Sequence, residues 1–294
     1  MQKLLTKLSI LVLQALAYLP LGVLYVISDV IYLAVYRLAR YRLRMVKGNL
    51  QLAFPEKSDA ERKEIERRFY RGLADVIVET IKMLHISDEE MKRRVEVVDS
   101  HLIDQLADED RPAFLMIGHM GNWEWVQEVT KRLVKVQVYG ELYHPLSSKT
   151  FDEVMSRIRA RYQTVQIPQK QAVRTILQMK REHGSFLIGF IADQRPTRRS
   201  LTHWTTFLGQ DTPYVVGAEE IGRHVNAKCL YLDVERTSRG HYRMVVKELD
   251  MNRLGGEETD HPQTVAYLRM LEQNIREHPE LWLWSHNRWK HKRN

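Results

Sequence analysis

The stretch Ala113-Phe114-Leu115-Met116-Ile117-Gly118-His119-Met120-Gly121-Asn122-Trp123-Glu124 decides how this chain is read. A short apolar run that stops at glycine predicts a buried strand, of the kind found in parallel sheets. Met120-Gly121-Asn122 then predicts a loop, and a helical pattern opens at Trp123. The spacing sets an imidazole at the end of a buried strand and a carboxylate five residues on, in the first helical turn. Histidine titrates nearest neutrality of all side chains. A carboxylate within reach of its second nitrogen fixes the tautomer and stabilises the imidazolium formed when it takes a proton. No nucleophile belongs to the arrangement, so the attacking group is expected to arrive on the substrate.

Working outward, strands and helices alternate from Val95 onward. Strands are expected at Val95–Val98, Ala113–Ile117, Val134–Tyr139, Thr164–Ile167 and Ser185–Ala192. Helices are expected near His101–Ala107, Trp123–Leu133, Lys149–Tyr162, Ala172–Glu182 and Thr212–Val225. A hairpin follows at Cys229–Glu235 and Tyr242–Glu248, then a last helix at Pro262–Glu277 and a Trp-rich tail. That order predicts an α/β fold with a largely parallel central sheet flanked by helices. Ligands of open α/β sheets gather at the carboxyl ends of strands. Gly118-His119 lies at one such end and Ala192-Asp193-Gln194 at another, so the two clusters are expected to face one cleft. Upstream, Ser58 with Glu61 makes a capping box that starts a long amphipathic helix to about Met83, and Ser87 with Glu90 starts a shorter one.

The N-terminus departs from a soluble pattern. Leu8 to Ser28 is a run of 21 uncharged residues, long enough to cross a bilayer as a helix. Pro20 and Gly22 would kink it, which leaves a half-inserted hairpin as the equal alternative. A cleaved leader is disfavoured because the apolar character continues to Tyr36. Arg37, Arg40, Arg42, Arg44 and Lys47 follow directly, against Lys3 and Lys7 before it, so the bulk of the chain is expected on the cytoplasmic face of a membrane. We therefore expect an anchor with a basic segment over residues 1–47, a helical region over 48–93 and an α/β domain over 94–294.

The formal net charge of +8 over 294 residues implies an anionic partner, either nucleic acid or a membrane surface. No aromatic-basic motif or helix-turn-helix pattern favours nucleic acid. The single Cys229 sits in an apolar run, which excludes an intrachain disulfide and disfavours a metal cluster or thiol nucleophile. His119 and Glu124 also lack the one-face spacing of a zinc helix, so neither metal nor cofactor is expected.

His119 with Glu124 resembles the HX4E signature of glycerolipid acyltransferases, and the landmarks around it resemble the bacterial late lipid A acyltransferases. These landmarks are Tyr41-Arg42 with Asn49-Leu50 and Ala53-Phe54-Pro55, then Asn122-Trp123-Glu124, Ala192-Asp193-Gln194, Phe207-Leu208-Gly209 with Thr212, and Pro279 to Lys290. The resemblance implies a membrane-bound enzyme of the bacterial inner membrane. Its acyl donor would be an acyl carrier protein thioester or acyl-CoA, and its acceptor the hydroxyl of a lipid, a lipid A precursor first among candidates. His119 would be the general base, supported by Glu124. Asn122, Arg157, Arg159, Arg161, Asp193 and Gln194 would bind substrate, with Arg159 and backbone N–H groups near Gly121-Asn122 meeting the oxyanion. The chain departs from the family at Tyr143-His144-Pro145-Leu146-Ser147, where many members carry an Arg-Pro-Asn-type segment, and at Tyr162-Gln163. The basic tail Arg288, Lys290, His291, Lys292 and Arg293 is expected to grip phosphorylated lipid. On chemistry alone, a hydrolase using water in place of the lipid hydroxyl stays open.

Overall fold

The computed structural model describes residues 2–143, 148–254 and 256–293. Its strands are β1 (Val95–Val98), β2 (Ala113–Ile117), β3 (Tyr139–Tyr143), β4 (Val165–Pro168), β5 (Leu187–Ile191), β6 (Trp204–Phe207), β7 (Gln210–Pro213), β8 (Lys228–Ser238) and β9 (His241–Glu248). Seven of them form one sheet in the order β1-β9-β8-β2-β5-β3-β4. Only β8 and β9 are antiparallel neighbours in it. All five residues of β2 are buried, because the strand lies at the sheet centre between β8 and β5 and is covered on both faces. Truncating such a residue, as in Phe114→Ala, typically costs about 3–5 kcal/mol.

The helices are α1 (Gln2–Tyr18), α2 (Leu21–Tyr32), α3 (Leu43–Ala53), α4 (Asp59–Lys82), α5 (Asp88–Arg94), α6 (His101–Asp108), α7 (Lys149–Ala160), α8 (Ala172–His183), α9 (Gly217–Val225) and α10 (Pro262–Glu277). Both sequence caps form. The Ser58 hydroxyl accepts the Glu61 N–H at 3.3 Å while the Glu61 carboxylate takes the Ser58 N–H at 2.8 Å, and Ser87 accepts from the Glu90 N–H at 3.1 Å.

Several expectations shift, each for a local reason. The run from Leu8 to Ser28 is not one helix, since the chain breaks at Leu19-Pro20 and restarts as α2, which runs on as a π-helix over Leu33–Leu38. The strand expected at Val134–Tyr139 begins where that range ends. The Asp104 carboxylate takes the N–H groups of Val134, Lys135 and Val136 at 2.9, 2.9 and 3.2 Å, so none of them is free for a sheet ladder. The helix expected from Trp123 is a 3-10 helix over Trp125–Arg132. The helix expected from Thr212 starts at Gly217, because Leu208 and Gly209 both take positive φ (50° and 73°) and turn β6 back onto β7 as a hairpin.

The segment Leu21–Leu38, with mean hydropathy 1.6, is long and apolar enough to cross a membrane by length and composition. Yet one side of it is fastened to α4 and its neighbours. Tyr25 donates to Glu79 (2.9 Å), Ser28 to Asp75 (2.7 Å) and Tyr36 to Glu66 (2.8 Å), while Asp29 pairs with Arg239 (2.9 Å). The other side exposes Val23, Val26, Val30, Leu33 and Leu38.

Candidate active site

The loop after β2 is built so tightly that glycine is required twice. A Cβ on Gly118 would lie 2.5 Å from Leu271 Cδ1 of α10, and Gly121 has φ +54° with Tyr242 3.0 Å from where its Cβ would stand. The C-terminal tail closes the loop from the other side. Met120 bridges to Trp282, the Gly121 N–H donates to Leu281 O (3.0 Å), and the Leu283 N–H donates to His119 O (3.1 Å). The tail is held in turn by Asn49, which donates to the carbonyls of Trp284 (2.8 Å) and His286 (2.9 Å), and by Arg42, which donates to that of Ser285 (2.9 Å). Landmarks far apart in sequence thus meet around one loop.

His119 faces Asp193, as expected of two strand ends opening on one cleft. Its Nδ1 is 2.6 Å from Asp193 Oδ1, and its backbone N–H donates to Oδ2 at 2.9 Å. The Trp282 indole N–H adds a third donor to Oδ2 at 2.7 Å. Burial alone would raise the Asp193 carboxyl, but the His119 charge and these donors hold it down at about 2. Asp193 is therefore ionised, Nδ1 carries the proton, and Nε2 presents its lone pair outward. For His119, burial works to lower the pKa; the Asp193 carboxylate outweighs it, and the imidazole titrates above its ordinary value. The Gln194 amide nitrogen lies 3.2 Å from Nε2, at the position a hydroxyl must take to be deprotonated.

Glu124 was expected to orient the imidazole; Asp193 does so, and Glu124 acts on His119 as a nearby charge. Both line a cavity of about 270 Å³ whose wall is the apolar face Leu115, Ile117, Leu187, Gly189 and Ile191 of the central strands. Arg159 of α7 reaches into this cavity between two carboxylates, with Nε 2.8 Å from Glu141 Oε1 and Nη2 3.8 Å from Glu124 Oε2. Burial raises the Glu124 carboxyl, opposed by Arg159 and His119. Burial also pushes Glu141 up to about 7, opposed by Arg159 and helped by Glu124. Sequence reading missed Glu141, whose only signal is a charged residue inside an apolar strand. An acid with a raised folded pKa favours folding at low pH, and that contribution is lost as pH rises from 4.5 through about 7. Glu141→Gln should therefore stabilise the protein more at pH 8.5 than at pH 5.5, by about 1–3 kcal/mol, in paired denaturant melts.

The other expected residues fall elsewhere. Arg157 lies half exposed on α7, paired with Glu153 at 2.7 Å. Arg161 donates to the backbone carbonyls of Met83 and Ile86, the latter at 2.8 Å, and so braces α7 against the end of α4. The Asn122 side chain is buried and turned to Glu79 (2.9 Å). The Gly121 N–H, expected to meet an oxyanion, is spent on Leu281 O. Arg288, expected on a lipid-gripping surface, is fully buried beside Phe207, and burial lowers its pKa to about 10. Trp282 and Trp284 are core residues. His144 to Ser147, where the chain departs from related sequences, lie outside the described residues. Cys229 is buried and unpaired, and no group of three metal-ligating side chains occurs among the described residues.

Comparison with known proteins gives this geometry a context. Residues 1–291 match the family described as bacterial lipid A biosynthesis acyltransferase. A lipid A biosynthesis palmitoleoyltransferase of Escherichia coli K12 is 22% identical over 252 residues, covering 85% of this chain and 79% of that protein. A lipid A biosynthesis acyltransferase of Shigella flexneri is similar to the same extent, 22% over 252 residues. With nearly the whole chain matched, and with a histidine, a carboxylate and an apolar cavity gathered at the strand ends, the chain is an acyltransferase and belongs to the bacterial lipid A biosynthesis acyltransferase family.

Proposed function

We propose that the protein transfers a fatty acyl chain from a carrier-protein thioester to a hydroxyl of a lipid A precursor, with His119 as general base. The observation that carries this reading is the ionised Asp193 holding His119 Nδ1–H, which leaves Nε2 as an acceptor at the mouth of an apolar cavity. The acceptor hydroxyl displaces the Gln194 amide from Nε2 and gives up its proton there. Its oxygen attacks the thioester carbonyl, and collapse of the tetrahedral intermediate breaks the carbon–sulfur bond. The imidazolium then returns the proton to the departing thiolate, so ester and thiol are the products. Arg159 is the cation beside the reacting carbonyl, held in place by Glu124 and Glu141, and its charge supports the oxyanion. The acyl chain occupies the cavity between β2, β5 and β3.

The apolar N-terminus brings the enzyme to its lipid by lying in the membrane interface. A fully spanning α2 would carry Glu66, Asp75, Glu79 and Arg239 into hydrocarbon with it. Half-insertion instead buries only the free face of Val23, Val26, Val30 and Leu33, and leaves the exposed Arg37, Arg40, Arg44 and Lys47 among cytoplasmic headgroups. Replacing Val26, Val30 and Leu33 together by Glu should weaken binding to anionic vesicles by about a hundredfold or more, with the thermal melt unchanged. Undiminished sedimentation with vesicles would place the anchor elsewhere.

The reaction itself is tested by incubating purified protein with acyl carrier protein thioester, with and without a lipid A precursor. Acylated lipid should appear, and acyl release should depend on the acceptor. Release unchanged by the acceptor would make the protein a thioester hydrolase, and acylation of a different amino- or glycolipid would reassign the acceptor.

A further inference from the structure

Glu79, in the last turns of α4, has no exposed surface and does not line the cavity. Its carboxylate gathers three donors. Oε1 accepts the Tyr25 hydroxyl at 2.9 Å; Oε2 accepts the Asn122 amide and the Tyr242 hydroxyl, each at 2.9 Å. Burial raises the Glu79 carboxyl, and the Asn122, Tyr242 and Tyr25 donors oppose that rise; Oε2, as the acceptor facing Asn122, dictates which way the amide faces. Nδ2 points to Glu79, and Oδ1 points to the opposite side, where it takes the backbone N–H groups of Glu124 (3.2 Å) and Trp125 (3.3 Å). A second tie runs from the Trp125 indole N–H to the Glu79 carbonyl at 3.3 Å. An apolar residue in its place would leave the Tyr25, Asn122 and Tyr242 donors unpaired, so the carboxylate organises all three together.

We propose that Glu79 is a positioning residue for acyl transfer: by fixing the Asn122 amide it places Glu124, and by holding Tyr25 it joins that placement to the seating of the apolar helix α2. This rests on reading His119, Glu124 and Arg159 as the reacting site. The chain of contacts runs from the membrane-facing helix to the site loop in three hydrogen-bonded steps, α2 to Glu79, Glu79 to Asn122, and Asn122 to the Glu124 peptide. Asn122 enters it as the relay.

The test is a double-mutant cycle on the full-length protein bound to vesicles, with acyl carrier protein thioester and lipid A precursor both saturating. Asn122→Ala and Glu79→Ala should each lower kcat by about tenfold with KM for the donor little changed. The double variant should fall no further than the worse single one, because the two residues act in series. Glu79→Gln should restore most of the rate, since its amide oxygen can take the two converging donors while its NH2 faces the Tyr25 oxygen. Losses that multiply in the double variant, or a wild-type kcat in Glu79→Ala, overturn the proposal. Should Glu79→Ala fail to fold, Tyr25→Phe keeps the ring and removes only the Oε1 donor. It should lower kcat by about threefold in the wild-type background and not at all in Asn122→Ala. An equal loss in both backgrounds overturns the relay. Acceptor-independent acyl release by the wild type would instead defeat the transferase reading, and the same cycle could then be read on that release.

Discussion

His119→Ala should reduce acyl transfer by about 10⁴-fold, to the rate that binding and the Arg159 charge alone support. The substitution removes the imidazole whose Nε2 takes the hydroxyl proton in the proposed mechanism. Asp193 is not expected to replace it, because its Oδ2 stays engaged by the loop N–H and the Trp282 indole. Those donors also keep the loop folded, so the variant should melt within a few degrees of the wild type and still bind vesicles. A rate within tenfold of wild type, measured on folded protein, removes His119 from the chemistry.

Asp193→Asn should lower the plateau rate by about 10²–10⁴-fold and change the pH profile in a defined direction. In the proposed mechanism the base must be neutral, so wild-type activity should rise with pH through a His119 pKa that lies above its ordinary value. Without the carboxylate, burial is opposed by the Glu124 charge alone and that pKa falls, so the acid limb moves to lower pH even as the plateau falls. Stability responds separately. A carboxyl depressed from 3.8 to about 2 contributes about 2 kcal/mol above pH 4, and that contribution fades as pH drops through 3.8 toward 2. Wild type and Asp193→Asn should therefore differ in stability at pH 7 and converge near pH 2. An acid limb that does not move would show that Asp193 does not set the base.

Arg159 shows why the site was only partly legible. Three arginines at alternate positions, Arg157, Arg159 and Arg161, read alike in sequence, and helical periodicity does not say which one turns inward. The tertiary structure separates them by neighbours: Glu153 in solvent for the first, two partly buried carboxylates for the second, and backbone carbonyls at the end of α4 for the third. Asn122 was misplaced for a related reason. Its partner Glu79 lies 43 residues away, and nothing local announces a buried acid on a helix that otherwise reads as amphipathic. The Trp-rich tail was legible as a landmark but not as the edge that clamps the His119 loop.

The sequence by itself determined the largely parallel sheet and most of its strands. Buried parallel strands need unbroken apolar runs and glycine-ended loops, and these patterns are local, so β1, β2, the β8–β9 hairpin and α10 fall where they read. It also set His119 and Asp193 at strand ends, where the topology of an open sheet brings ligands. Which carboxylate holds the imidazole, which arginine enters the cavity and which side of the N-terminal helices is left exposed were decided only by the tertiary structure. Each depends on contacts between segments far apart in sequence or on which face of a helix is covered, and the order of residues along a chain does not record either.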